Sequence, residues 1–321
     1  MKAIVRERYC GPDGLELREV ERPAPTDDGV LVRVHASSVN RADWYIMTGT
    51  PWLGRVQLGL RRPRTPYLGT DFAGTVEAVG RDVTGLEPGD EVFGGKSGAF
   101  AEYVNVRDAV VRKPPNVSFE EAASVPVAGV TALLAVRDHA RVQPGRRVLV
   151  NGASGGVGTW AVQLAKALGG HVTAVCSTRN VEQARDLGAD AVIDYTREDF
   201  TRGEERYDAL INVAGRPSWR DCKRVLTDDG VFVLSGASSG NRFAGPIGYL
   251  VGVRLASLGS SQKVVNYLAR IERDDVQFLA DLIEAGTVRP VVERAFPLED
   301  AAEALRLMGE GHVRSKLVLT V

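Results

Sequence analysis

The apolar positions of this chain follow two patterns that change near residue 120. Before that point they form short runs such as Leu31-Val32-Arg33-Val34-His35-Ala36 and Gly74-Thr75-Val76-Glu77-Ala78-Val79. Turn signals separate the runs, among them Gly11-Pro12-Asp13-Gly14 and Glu87-Pro88-Gly89-Asp90. Branched side chains suit a pleated surface and Gly and Pro suit tight turns, so this half reads as all-β and barrel-like. From Phe119-Glu120-Glu121-Ala122 onward, strand-like and helix-like segments alternate, which predicts a parallel sheet with helices on both faces. The expected strands are 147–151, 172–176, 191–193, 209–213 and 231–234, the last reached through an Asp228-Asp229-Gly230 turn. After the first strand, Val157, Ala161, Leu164, Ala165 and Leu168 share one helical stripe that Gly169-Gly170 stops. A second helix covers 181–187 and closes at Gly188. The tail adds helices over 276–285 and 301–308 and a last strand over 317–321.

Bulk properties narrow the function classes. The 321 residues suffice for roughly two domains. Acidic and basic residues nearly cancel, 41 against 40, so nothing in the charge calls for nucleic acid or an anionic membrane surface. No apolar stretch approaches the ~18 residues of a membrane helix, and the start, MKAIVRERYC, lacks a signal-peptide core. Cys10, Cys176 and Cys222 are far apart and form no C-x-x-C pair, which fits a reducing interior; the cytoplasm is the expected compartment. His35, His139, His171 and His312 sit in no metal-ligand spacing. The basic run from Arg55 to Arg64 reads as a solvated loop.

The strongest local signal is Asn151-Gly152-Ala153-Ser154-Gly155-Gly156-Val157-Gly158. It follows a predicted strand and opens a predicted helix, the setting in which a glycine turn binds a dinucleotide. Its spacing is G-x-x-G-x-x-G rather than G-x-G-x-x-G. Backbone N–H groups and the positive end of the helix would face the pyrophosphate. An NAD site usually adds a carboxylate at the end of the second strand, to hold the ribose 2′-hydroxyl. Here that stretch reads Cys176-Ser177-Thr178-Arg179-Asn180. Hydroxyls and a guanidinium suit a 2′-phosphate instead, so Ser177 and Arg179 point to NADPH as cofactor.

Other segments carry a family resemblance over the whole chain. They are Ser38-Val39-Asn40-Arg41-Ala42-Asp43-Trp44-Tyr45, Pro66-Tyr67-Leu68-Gly69-Thr70-Asp71-Phe72-Ala73-Gly74, Pro88-Gly89-Asp90-Glu91-Val92 and Gly98-Ala99-Phe100-Ala101-Glu102-Tyr103. In this order, with the glycine turn, they resemble the medium-chain dehydrogenase/reductase superfamily, and within it the zinc-independent quinone oxidoreductase (zeta-crystallin-like) branch. The resemblance implies an α/β protein with a GroES-like, β-rich catalytic domain over 1–122. A Rossmann doubly wound parallel sheet binding NADP then spans 123–260, and residues 261–321 complete the catalytic domain. Substrate is expected in the cleft between the domains. Zinc members of the superfamily hold a catalytic metal with cysteine, histidine and cysteine. The matching positions here are Asn40, Thr70 of Gly69-Thr70-Asp71, and a Val127-Ala128-Gly129-Val130-Thr131-Ala132 segment without cysteine. The structural zinc lobe is missing too, so no metal site is expected.

By the same resemblance Tyr45 lies in the active cleft, where it donates a hydrogen bond or proton to the acceptor oxygen or else packs as a core tyrosine. Asn40 and Thr131 match positions lining the nicotinamide end, and Tyr195 one near the adenosine phosphate. Val213, Ser235, Gly236 and Ala237 end strands four and five, where a doubly wound sheet meets its cofactor. Lys316, in Arg314-Ser315-Lys316, either reaches the cofactor or, as a lysine near the end of a sequence usually is, is only solvated. Without a metal to stabilise an alkoxide, conjugated acceptors are favoured, so the expected substrate is a small quinone or enone. An enoyl-thioester reductase, with the Arg55 to Arg64 run meeting coenzyme A phosphates, is the first alternative. A non-catalytic NADPH-binding protein is the second. The apolar run Leu250-Val251-Gly252-Val253 with Leu255 reads as an exposed edge strand and so as the seam of a homodimer.

Overall fold

Strand pairing follows the two apolar patterns. The structure, a computed structural model, describes residues 1–236, 245–311 and 313–321, and of residues 245 and 246 only the backbone. The chain divides into two units, residues 1–130 with 270–321, and residues 131–269.

The first unit is built on a seven-stranded sheet. Its order is Val292–Pro297, Lys316–Thr320, Val30–Val39, Asp71–Val79, Glu91–Gly95 and Val110–Arg112, with Tyr103–Val106 also paired to Val30–Val39. Alternation puts Val30, Val32 and Val34 into a core with Phe72, Val76, Val92 and Val104. Register matters most at one rung. Ser38 stands opposite Asp71 on one side and Val318 on the other, so residues 38, 71 and 316 are gathered across three strands.

This unit is not all-β. A helix, Arg41–Thr48, follows the central strand, and shorter ones span Arg55–Leu58 and Phe119–Ala123. Asn40 enters the first of these in extended conformation, and Gly49 leaves it with a left-handed φ of 61°. Eight residues are too few to display a helical stripe, so only the end residues mark this helix in the sequence. The basic run also departs from a plain solvated loop. The Arg55 guanidinium donates to the carbonyl of Gly49 at 2.8 Å and lies over the Tyr9 ring. Arg61, Arg62 and Arg64 are exposed.

The second unit holds a six-stranded parallel sheet. Its order is Ala191–Asp194, His171–Cys176, Arg147–Asn151, Tyr207–Asn212, Leu226–Leu234 and Lys263–Asn266. Numbered along the chain, that is 3-2-1-4-5-6, the doubly wound order whose reversal point faces a dinucleotide. Leu149, Val175, Leu210 and Phe232 pack in its core. Each such burial is worth about 1.5–3 kcal/mol.

Two segments of this unit differ from the sequence expectation. The run from Leu250 to Leu255 belongs to the helix Gly245–Ala256, and the edge strand is Lys263–Asn266. An unbroken apolar run lacks a period that separates helix from strand, and the true edge strand is only four residues long. Asp228-Asp229-Gly230 lies within the strand Leu226–Leu234, whose ladder shifts register there. Among the described residues no helix is long and apolar enough to cross a membrane.

Candidate active site

The glycine turn stands where the sheet order reverses. Gly152 has a φ of 87°, and a Cβ there would sit 2.6 Å from the Cβ of Ala214. A Cβ on Gly158 would run into the carbonyl oxygen of Gly152, so helix and turn touch only because both positions are glycine. Gly155 differs. Its φ is an ordinary −82°, and a Cβ built on it meets nothing nearer than the Gly152 oxygen at 3.7 Å. The protein does not fill that space. It adjoins the first turn of the helix Gly156–Ala167, where Gly156, Val157 and Gly158 have no intrahelical acceptor for their N–H groups. Open space beside a helix N-terminus is what an approaching pyrophosphate requires, so these residues fit a dinucleotide.

Buried amides hold the turn in place. Asn151 Nδ2 donates to Asn212 Oδ1 at 2.7 Å and to the Ala214 carbonyl at 2.8 Å. Asn212 Nδ2 continues the chain to the Gly236 carbonyl, while Val213 N–H donates to the Asn151 carbonyl. Ser235 and Thr131 are linked through Tyr267, whose hydroxyl lies 2.9 Å from Ser235 Oγ and 2.5 Å from the Thr131 carbonyl. Ala237, like His312, lies outside the described residues. Ala153 is buried and Ser154 half-buried in the turn.

At the end of the strand His171–Cys176, Ser177 accepts a bond from Asn180 and opens a short turn that carries Arg179 to the surface. Arg179 lines a groove of about 520 Å³ together with Thr178, Arg185, Asp194 and Arg197. Asp194 was not foreseen. Its oxygens are committed to Thr178 Oγ1, to Thr196 and to Arg197, and the threonine bonds hold its carboxyl below the usual range. Tyr195 follows it and is mostly exposed.

The first unit gathers a buried charged cluster around Asn40. Asp71, Asn40, Asp43 and Lys316 are 0, 6, 1 and 3% exposed, so the solvated reading of Lys316 is wrong. Asp71 Oδ2 accepts from Ser38 Oγ at 2.7 Å and Asn40 Nδ2 at 2.9 Å, and its Oδ1 from Val127 N at 2.9 Å. Lys316 Nζ donates to Asn40 Oδ1 at 2.6 Å and lies 3.4 Å from Asp71 Oδ2. Asp43 Oδ2 accepts from the Asn40 N–H at 2.8 Å, which pins the start of the helix Arg41–Thr48. Burial pushes the Asp43 carboxyl up to about 7, opposed first by that N–H and reinforced by the Asp71 charge. Tyr45, two residues along this helix, is partly buried, and burial raises its phenol. Among the described residues its hydroxyl makes no hydrogen bond, which leaves it a donor for a ligand. Among them too, no group of three or more His, Cys, Asp or Glu is placed to hold a metal.

Comparison with known proteins extends this picture. Two family models match the chain: an alcohol dehydrogenase GroES-like domain over residues 26–116 and a zinc-binding dehydrogenase over residues 187–319. A chloroplastic quinone oxidoreductase of Triphysaria versicolor is 33% identical, over 99% of this chain and 98% of its own length. A trans-enoyl reductase of Aspergillus terreus is also 33% identical, over 92% of this chain and 86% of its own. The solved quinone oxidoreductase of Escherichia coli complexed with NADPH superposes over all of both chains, with a TM-score of 0.84 at 25% identity.

Proposed function

Since the chain belongs to the quinone oxidoreductase branch of the medium-chain dehydrogenase/reductase superfamily, it is an NAD(P)H oxidoreductase, and we propose that NADPH, a quinone or conjugated enone, and no zinc define its reaction. The observation that carries this reading is the commitment of Asn40 and Asp71 to each other and to Lys316. Zinc needs thiolate, imidazole or free carboxylate ligands, and an ammonium 2.6 Å from the Asn40 oxygen repels a second cation. These residues do not fit the metal of the zinc-binding relatives. Conjugated acceptors disperse the charge that a hydride brings, and so need a hydrogen-bond donor rather than a Lewis acid.

When bound, the nicotinamide supplies the hydride. The N–H groups of Gly156, Val157 and Gly158 are assigned to the pyrophosphate, with Gly152 to Gly155 shaping the approach. Ser177 and Arg179 are assigned to the 2′-phosphate, with Tyr195 beside them. Thr131, Asn40, Val213, Ser235, Gly236 and Ala237 orient the rest of the cofactor. Tyr45 donates to the acceptor oxygen.

A second reading is favoured by the Aspergillus relative, whose name is trans-enoyl reductase. The test is NADPH oxidation with phenanthrenequinone and with crotonyl thioester, each with and without a chelator. Quinone turnover at least about tenfold above the thioester is expected, on the ~1.4 kcal/mol per decade scale, with no loss to the chelator. Preference for the thioester, or activity lost to chelator and restored by zinc, would reject the proposal.

The three free cysteines support a reducing compartment, and the cytoplasm is the compartment we propose. A two-fold dimer is part of the same proposal, resting now on the edge strand Lys263–Asn266, because unpaired edges readily pair with a copy of themselves. Light scattering is expected to give twice the chain mass; monomer alone at micromolar concentration would remove the dimer.

A further inference from the structure

Lys316 opens the last strand of the chain, yet its ammonium is enclosed in the first unit. Burial pulls its basicity down, while the charges of Asp71 and Asp43 push it back up. Its short contact is with the neutral partner. Nζ stands 2.6 Å from Asn40 Oδ1 but 3.4 Å from Asp71 Oδ2. A carboxamide has two flipped orientations of almost equal shape, and its neighbours decide between them. Here a cation faces the amide oxygen and a carboxylate faces the amide nitrogen. Nδ2 donates to Asp71 Oδ2 at 2.9 Å and to the Ser38 carbonyl at 3.3 Å. With both N–H bonds committed, Asn40 keeps only a lone pair on Oδ1 for a ligand.

We infer that Lys316 is a positioning residue that fixes the flip of the Asn40 amide, so that Asn40 meets its ligand as a hydrogen-bond acceptor and never as a donor. This rests on the reading of Asn40 as an active-site residue given above. It also names the chemistry that Asn40 recognises. The group it meets carries an N–H or O–H, as a primary carboxamide does, whereas a quinone carbonyl finds no donor there. Reversing the flip would turn an N–H toward the lysine ammonium and the amide oxygen toward the Asp71 carboxylate. Both contacts are repulsive, so Lys316 on the oxygen side acts with Asp71 and the Ser38 carbonyl on the nitrogen side to set the polarity of Asn40.

The test is steady-state kinetics and thermal melting of Lys316→Met, Lys316→Arg, Asn40→Ala, Asn40→Ala/Lys316→Met and Asp71→Asn/Lys316→Met. The last variant removes the Asp71 and Lys316 charges together, so neither is left buried without the other even where Lys316→Met alone does not fold, and Asp43 is the one carboxyl of the cluster that stays. Once folded, that double variant is expected to lose about tenfold in kcat while KM for the quinone moves less than about twofold. Lys316→Arg, which keeps the cation, recovers most of the loss. Asn40→Ala/Lys316→Met is no slower than Asn40→Ala alone, because the effect passes through the amide. An unchanged kcat in folded Asp71→Asn/Lys316→Met, or losses that multiply in Asn40→Ala/Lys316→Met, would overturn the inference alone. Full activity in Asn40→Ala would overturn it together with the reading of Asn40. An unmodified protein that does not reduce quinones would instead remove the proposed function.

Discussion

Replacing Arg179 with Glu is expected to weaken NADPH binding by about a hundredfold while moving NADH by less than about threefold, at ~1.4 kcal/mol per decade. The two cofactors differ by one phosphate on the adenosine ribose. A guanidinium meets such a dianion through charge-assisted hydrogen bonds, each worth about 1.5–3 kcal/mol. Arg179 is exposed, so water and salt reduce that benefit, and one such bond is the fair measure of its loss. The substituted carboxylate adds repulsion. Arg185 and Arg197 line the same groove and preserve some attraction, which keeps the effect from growing larger. Arg185→Glu should therefore move NADPH in the same direction but by less. Titration of both cofactors against both variants and the unmodified protein measures it. If the unmodified protein bound NADH as tightly as NADPH, the assignment of Ser177 and Arg179 to a phosphate would be wrong.

Asp194 adds a control to that experiment. The sequence lacks an acid on the second strand, and the structure supplies one from the neighbouring strand, beside Thr178. Its carboxylate is already bonded to two threonines and an arginine, so it has little capacity left for a ribose hydroxyl. Asp194→Asn is thus expected to disturb the Thr178 turn more than to change which cofactor is preferred.

What the sequence disclosed and what it withheld follow from distance along the chain. The glycine turn was legible because its determinants are contiguous: a strand, a positive-φ glycine, an open glycine and a helix start lie within residues 147–158. Five strands of the doubly wound sheet were legible for a similar reason, since local signals bound them, whereas the short sixth strand, Lys263–Asn266, was not. Nor was the cluster around Asn40. Asp71 is 31 positions from Asn40 and Lys316 is 276, and only the register of three strands brings them together. Lys316 follows Arg314 and Ser315, so its local context reads as a solvated end, although the strand it opens lies inside a sheet. The helix Gly245–Ala256 was misread because its apolar run carries no period. Tyr267 and Asn212 gave no signal beyond ordinary strand-end residues.

The acceptor is expected to show the widest discrimination of all. A saturated ketone should turn over at least about a hundredfold more slowly than phenanthrenequinone or a simple enone, because a missing oxyanion stabiliser typically costs ~10²–10³ in rate. Hydride delivered to a simple ketone leaves a localised alkoxide, and the groups gathered around Asn40 are ill suited to receive it. Asn40 has both N–H bonds committed, and the Lys316 ammonium is enclosed with Asn40 and Asp71. Tyr45 remains. Its hydroxyl makes no hydrogen bond among the described residues, and burial raises its pKa above the ordinary phenol value, so it stays protonated at neutral pH. A neutral phenol is a good donor to a dispersed charge and a poor substitute for a metal under a concentrated one. Tyr45→Phe should therefore lower kcat with the quinone only about tenfold, since water can replace much of a single hydrogen bond, on the scale of ~1.4 kcal/mol per decade. The same substitution should cost more with the enone, whose enolate leans harder on one donor. Because Tyr45 does not ionise between about pH 6 and 8, it should impose no inflection there. Steady-state kinetics of both proteins on the three acceptors decide the matter, and faster turnover of the saturated ketone than of both conjugated acceptors would defeat it, whatever Tyr45 contributes.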